Sequence, residues 1–297
     1  MEREILYIID GEYKDIQDYL KANGYSASNI TTLKKYENGI MLNGVWAYMN
    51  QKPELNDRLL VRVSENKKSE NIVPVDIKLD IKYEDDDIIV INKSNDMPIH
   101  PSLNNYENSL ANALMYYYNG ENFVFRCINR LDKDTTGLTI VAKHFLSAGI
   151  LNIAMQKRQI KRVYNAIVKD EGILAKEGII DLPIARENDT LIKRKVSEDG
   201  QRAVTYFKMI KRFGEYSLIE LRLETGRTHQ IRVHMSHIGA PLAGDYLYNE
   251  NDCGKSFVRP LLHSKSLEFI HPITGERMYL ECDLPEDFKE KIGMNYV

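Results

Sequence analysis

Residues 128–143 read INRLDKDTTGLTIVAK. The second half, LTIVAK (138–143), is apolar and β-branched and predicts a strand. The first half crowds Asn129, Arg130, Asp132, Lys133, Asp134, Thr135 and Thr136 into a loop that ends at Gly137. A polar loop feeding straight into a rigid strand is where reactive groups are usually held. Asp132 stands two residues after Arg130 and one before Lys133. A neighbouring cation keeps an aspartate ionised, and an ionised carboxylate serves as nucleophile or base. The same loop also suits an ordinary solvated turn, and the residues alone leave both readings open.

Around this stretch the chain mixes strands and helices without a βαβ rhythm. IIVINK (88–93) predicts a buried strand. Ser109 is placed to cap a helix over 109–118, with Leu110, Ala113, Leu114 and Tyr117 on one face. Residues 145–158 predict a helix ending in Lys157-Arg158, which suits the negative end of its dipole. VYNAIV (163–168), AVTYFKMI (203–210) and YSLIELRLET (216–225) predict strands. The fold class expected for residues 79–297 is α+β, built on a mixed, mainly antiparallel sheet.

Before it lies a smaller part, residues 1–64. Ile16, Tyr19 and Leu20 fall at helical spacing within 14–22, and Ser26 or Ser28 can cap a second helix carrying Ile30 and Leu33. GIMLNGVWAY (39–48) predicts a hairpin, because a type I′ turn at Asn43-Gly44 needs positive φ at both central residues. LLVRV (59–63) predicts a third strand. This is a small αα-β unit expected to fold independently. A polar stretch, 65–78, with an extended step at Val73-Pro74, reads as a linker.

The chain has 297 residues, 40 Lys+Arg and 43 Asp+Glu, for a net charge of -3. Net charge therefore gives no sign of a nucleic-acid partner, and any basic surface must come from local clustering. The cysteines are Cys127, Cys253 and Cys282. None forms a C-x-x-C pair, so neither zinc nor a disulfide framework is expected, and a reduced cytoplasmic setting fits. No apolar run approaches the ~18 residues that cross a membrane, so no membrane association is expected.

Two further stretches carry polar groups. LETGRTHQIRVHMSHIGAPLAGD (223–245) holds Arg227, His229, Gln230, Arg232, His234 and His237. Continued as a strand, QIRVH would set Gln230, Arg232 and His234 on one face. Three histidines within nine residues suggest a metal, but the spacing matches no zinc pattern, and none is expected. KRQIKRVYNAIV (157–168) gathers Lys157, Arg158, Lys161 and Arg162 before Tyr164. Cations followed by an aromatic suit an RNA backbone and a stacked base, although such a run also suits a solvated face. KRK (193–195), Lys208, Lys211 and Arg212 could extend the same surface.

Together these stretches resemble the RluA family of pseudouridine synthases. Asn129 through Gly137 matches the family's loop His/Asn-Arg-Leu-Asp-x-x-Thr-Ser/Thr-Gly. Arg162-Val163-Tyr164 resembles its Lys-x-Tyr segment, with Arg where Lys is commoner. Glu224 through Met235, Pro241-Leu242 and Gly244-Asp245 match its longest motif. Residues 91–102 and 263–276 resemble its opening and closing strand pairs. The similarity spans about 79–290, in order. Residues 1–64 resemble the alpha-L RNA-binding domain shared with a small-subunit ribosomal protein.

The resemblance implies a pseudouridine synthase fold and isomerisation of uridine in structured RNA, without cofactor or metal. Asp132 would be the catalytic aspartate. Arg232 would pair with it, Tyr164 would pack against the target ring, and Arg130 would help fill the gap left by the extruded base. Arg227 and His229 would support the site or touch RNA. An alpha-L domain ahead of such a core points to large-subunit ribosomal RNA. Transfer RNA, or a binding-only assembly factor on the same fold, are the alternatives, and a monomer is expected.

Overall fold

The computed structural model describes residues 2–65, 68–188, 190, 192–250 and 257–293. Cys253 lies outside them, as do residues 66 and 67 of the expected linker. No helix among the described residues is long and apolar enough to cross a membrane.

The N-terminal part contains β1 (Glu2–Ile8), α1 (Ile16–Ala22), α2 (Ala27–Leu33), β2 (Ile40–Leu42), β3 (Val45–Trp46) and β4 (Arg58–Ser64). Its four strands lie in the order β1-β4-β2-β3. Ser26, not Ser28, caps α2, in a reciprocal capping box with Asn29. Asn43 and Gly44 both have positive φ, 51° and 82°, as the hairpin turn demands. The sequence reading did not find β1. Its burial alternates but its apolar residues do not: Ile5 is buried and Arg3 and Tyr7 partly so, while Leu6 and Ile8 are about half exposed.

This part does not stand apart from the rest. Leu146 is fully buried in its core, and buried Asn29 donates to the Phe145 carbonyl at 3.0 Å. Arg3 pairs with buried Asp87 at 3.1 Å. Glu65 accepts the Phe145 amide at 2.7 Å and pairs with Arg126 at 2.9 Å.

The larger part continues with β5 (Ile81–Glu84), β6 (Ile88–Lys93), α3 (Leu110–Tyr117), β7 (Thr136–Ala142), α4 (Phe145–Gln156), β8 (Lys161–Lys169) and β9 (Glu177–Asp181). Then follow β10 (Ile184–Arg186), β11 (Arg194–Val196), β12 (Val204–Phe213), β13 (Tyr216–Leu223), α5 (Gln230–His237), β14 (Leu262–Ile270), β15 (Arg277–Glu281) and α6 (Glu286–Ile292). Nine strands form one sheet, β5-β6-β7-β14-β8-β13-β12-β9, with β15 also on β14. Among the described residues only β7 and β14 run parallel, so the sheet is mixed and mainly antiparallel, as the sequence suggested.

Several expectations need correction. Residues 230–237 form helix α5 rather than a strand: His229 adopts the left-handed conformation at φ 57°, ending the extended run and opening a helix. Residues 91–102 hold only the end of β6 and a loop, since the opening pair is β5–β6. Ser109 caps α3 as expected, but Tyr117 is half exposed and donates to Glu84, while Tyr118 is buried.

The parallel junction of β7 and β14 holds the Asp132 loop to the sheet. Gly137 sits opposite Ser264 at φ 106°, and a Cβ there would lie 2.6 Å from the Ser264 amide nitrogen. Thr136 Oγ1 bonds His263 Nδ1 at 2.8 Å. Burial, then the nearby Arg259 charge, pulls the His263 pKa down to about 4. Gly137→Ala should therefore lower stability by at least ~2 kcal/mol in urea unfolding, through overpacking and strain. Between pH 6.5 and about 4 the unfolded state binds the His263 proton and the folded state does not. Stability should fall as pH drops through that window, by ~1.4 kcal/mol per pH unit from this group. His263→Gln should flatten that slope.

Candidate active site

The loop 129–135 is pinned at both ends. Asn129 is buried and acts as an added rung beside β7: its Nδ2 donates to the Leu138 carbonyl at 3.1 Å, and its Oδ1 accepts the Ile140 amide at 2.8 Å. Beneath the loop, fully buried Lys93 donates to the carbonyls of Ser94, Met97 and Lys133 at 2.7, 2.8 and 2.9 Å. Those are three acceptors for the three hydrogens of an ammonium. Burial pulls its pKa down to about 7, against the attraction of Asp134 and Asp132. Arg259, also buried, donates to the Asp134 carbonyl at 3.0 Å. A buried cation thus grips each of two successive carbonyls, immediately after Asp132.

Asp132 projects from this turn with its side chain 29% exposed. The adjacent lysine is not its partner, as the sequence suggested: Lys133 turns away to Asp96 at 2.7 Å. The cation that faces Asp132 is Arg232, from α5, with Nη1 3.6 Å from Oδ2. Arg232 is itself buried and gives its other edge to Asp245, Nε and Nη2 each at 2.7 Å. Burial works against its charge, but Asp245 more than offsets this and the pKa rises. The donors are therefore divided, one edge on Asp245 and Nη1 toward Asp132.

His229 Nε2 lies 3.9 Å from the same Asp132 oxygen, and its Nδ1 is 3.0 Å from the Tyr248 hydroxyl. Burial lowers its pKa, against the opposing pull of the Asp132 charge. Tyr164, from β8, is buried against Leu131, Leu221 and Ile231. Burial raises its pKa, against the opposing pull of the nearby Arg162 charge.

Asp132, Arg130, Tyr164, Arg232, Arg227 and His229 all line one cleft of about 830 Å³. Arg130 and Arg227 are exposed at it, and Arg227 Nε donates to the Arg202 carbonyl at 3.1 Å. Of the basic clusters, Arg158 and Arg162 reach this cleft. Lys161 pairs with Glu268 elsewhere, Lys193 faces Glu250, and Arg212 pairs with Asp170. Lys193, Arg194, Lys195, Lys208, Lys211 and Arg212 do not line it. His234 is taken up by Thr205 and the Leu182 carbonyl, each at 2.9 Å.

A larger hollow, about 1220 Å³, is lined by Lys161, Val163 and Asn165 and shares Arg158, Arg162, Leu223 and Glu224 with the cleft. Val163 and Asn165 alternate with Tyr164 and so lie on the opposite face of β8. It has no Asp132, so the smaller cleft is the candidate site. Lys93, Arg259, Tyr246 and Tyr248 entered no sequence argument. A lysine closing the apolar run IIVINK reads as a strand end, and nothing in the run signals its burial.

This geometry can be set beside known proteins. Residues 87–237 match the family model described as RNA pseudouridylate synthase. The uncharacterized RNA pseudouridine synthase YjbO of Bacillus subtilis is 38% identical over 285 residues, covering 95% of this chain and 99% of that one. Ribosomal large subunit pseudouridine synthase D of Haemophilus ducreyi is 43% identical over 233 residues, covering 74% of this chain and 71% of its own. Among solved structures, human RNA pseudouridylate synthase domain containing 1 aligns with a TM-score of 0.59 at 26% identity, covering 69% of this chain and 83% of that one. A pinned carboxylate facing a buried arginine, in a chain alike over nearly its full length, makes this protein a member of the RNA pseudouridine synthase family.

Proposed function

We propose that Asp132 is the catalytic group with which this synthase converts uridine to pseudouridine in large-subunit ribosomal RNA. The observation that carries this is the Asp132 carboxylate. It stands on a turn gripped by Lys93 and Arg259 and is faced by one nitrogen of a buried arginine whose other edge is occupied. The reaction breaks the bond from C1′ to N1 and joins C1′ to C5. A proton leaves C5 and N1 gains one, so nothing is oxidised and nothing is released. An anionic carboxylate serves whether it adds to the ring, attacks the sugar carbon or removes a sugar proton. Arg232 faces Asp132 and keeps it aimed. Tyr164 offers the extruded uracil an apolar wall, and Arg130 fills part of the gap in the stack, offsetting a base-flipping penalty of a few kcal/mol. Arg227 and His229 contact the RNA or support these groups.

The ribosomal target rests on relatives named for large-subunit pseudouridine synthase D. Residues 1–64 serve as an S4-like RNA-binding module, joined by 65–78 to the catalytic domain, 79–297. Its two capped helices beside a small sheet support this reading. The enzyme works as a cytoplasmic monomer. Its phosphate contacts make binding weaken with salt.

Asp132→Asn should leave the melting temperature and RNA affinity within error of wild type and abolish product, read by carbodiimide labelling with primer extension. Undiminished pseudouridine in that variant would remove Asp132 from the mechanism. Arg232→Lys loses the forked grip on Asp245 and should lower kcat by ~10²-fold or more. Mapping pseudouridines in a deletion strain should show the loss in large-subunit ribosomal RNA; loss confined to transfer RNA would refute the target.

A further inference from the structure

The four-residue turn Asp245-Tyr246-Leu247-Tyr248 touches the groups on both sides of Asp132. Asp245 Oδ1 winds the turn by accepting the amides of Leu247 and Tyr248, at 3.0 and 3.2 Å, while its two oxygens hold Arg232. The rings of Tyr246 and Tyr248 both pack on the Arg232 guanidinium, 5.4 and 5.3 Å from its central carbon. Such cation–π contacts strengthen in a desolvated setting. The Tyr246 hydroxyl donates to Asp134 Oδ2 at 3.0 Å, fastening the turn to the Asp132 loop.

The Tyr248 hydroxyl adds a second function. It accepts the Arg194 amide at 2.8 Å, which leaves its own hydrogen for His229 Nδ1, 3.0 Å away. With Nδ1 accepting, the imidazole hydrogen sits on Nε2, the nitrogen nearest Asp132. The two rings meet edge to face at 83°, which fixes the imidazole plane.

We propose that Tyr248, assisted by Tyr246, is a positioning residue of this active site: it holds Arg232 against Asp132 and sets the tautomer that His229 presents to the same carboxylate. This rests on the reading of Asp132 as the catalytic group. Neither tyrosine needs to touch the uridine. Their effect travels through Arg232 and His229, the cation and the imidazole that face Asp132, with Tyr164 and Lys93 the remaining titratable groups beside it.

The test compares Tyr248→Phe, which keeps the ring and deletes the hydroxyl, with Tyr248→Leu and Tyr246→Leu, which delete the ring. Tyr248→Phe should lower kcat about 10-fold, as expected for one lost hydrogen bond, with KM for RNA within about twofold. Tyr248→Leu should lower kcat by ~10²-fold through misplacement of the charged pair. Tyr246→Leu should lower kcat by less, because Arg232 keeps the Tyr248 ring. The imidazole nitrogen resonances of His229, read without substrate, should show hydrogen on Nε2 in wild type and a mixture in Tyr248→Phe. An unchanged tautomer in Tyr248→Phe, an undiminished kcat in Tyr248→Leu, or losses confined to KM would overturn the proposal. The resonance measurement needs no turnover. It therefore judges the positioning role even if Asp132→Asn proves active and the catalytic reading fails.

Discussion

Arg232 and Asp245 are both almost completely buried, and two bonds of 2.7 Å join them. Burying a charged pair commonly gains little stability over a well-packed apolar pair, because desolvation consumes most of the attraction. The arrangement makes sense as geometry. A guanidinium clamped along one edge by a carboxylate cannot rotate, so its remaining nitrogen has one direction left, and that direction is Asp132. A lysine would supply the same charge without the fork that fixes it. The rest of the site is built around keeping this edge in place. Helix α5 delivers the arginine, the turn after Gly244 delivers the aspartate, and the β7–β14 junction delivers the loop.

The opposing half of the site is held by different means. Asp132 is fixed from below through its backbone neighbours, by Lys93 and Arg259 on successive carbonyls. Neither side chain lines the cleft, so both fix the loop without competing for the carboxylate. Asn129 and Thr136 then anchor the loop's two ends by side-chain bonds to β7 and to His263 on β14. The carboxylate is therefore a rigid projection in a partly open cleft, which suits a group that must meet an incoming base without reorganising.

Much of this was legible in the sequence, because strands and caps announce themselves locally. Ser109, Asn43-Gly44 and the alternation of β13 each carry their own signal, and the long motifs located the six cleft residues. What the sequence hid depends on contacts between distant segments. QIRVH reads as a strand because Ile231 and Val233 alternate with polar residues. It is a helix because the chain turns left-handed at His229, a conformation a histidine only occasionally adopts. Lys93 looks like the polar end of a strand until the Lys133 carbonyl, forty residues on, joins those of Ser94 and Met97 around it. Lys133, adjacent to Asp132 in sequence, looked like its partner, yet successive side chains on a tight turn diverge and Asp96 takes it. Strand β1 escaped notice because half of its apolar residues face outward, so no alternation survives.

The sheet's two faces also divide the basic residues, which resolves how a chain of net charge -3 can serve a polyanion. Along β8, Tyr164 lines the cleft, Lys161 and Asn165 line the larger hollow, and Arg162 lines both. Around that hollow several positive charges are matched: Lys161 meets Glu268, Arg222 meets Glu220, Lys265 meets Glu281 and Lys289 meets Glu286. At the cleft, Arg158 meets Glu224, while Arg130 and Arg227 are exposed and the Arg227 Nε donates to a backbone carbonyl. Matched pairs around the larger hollow and exposed arginines at the cleft produce a local field that the overall composition conceals. That field depends on where the glutamates are as much as on where the arginines are.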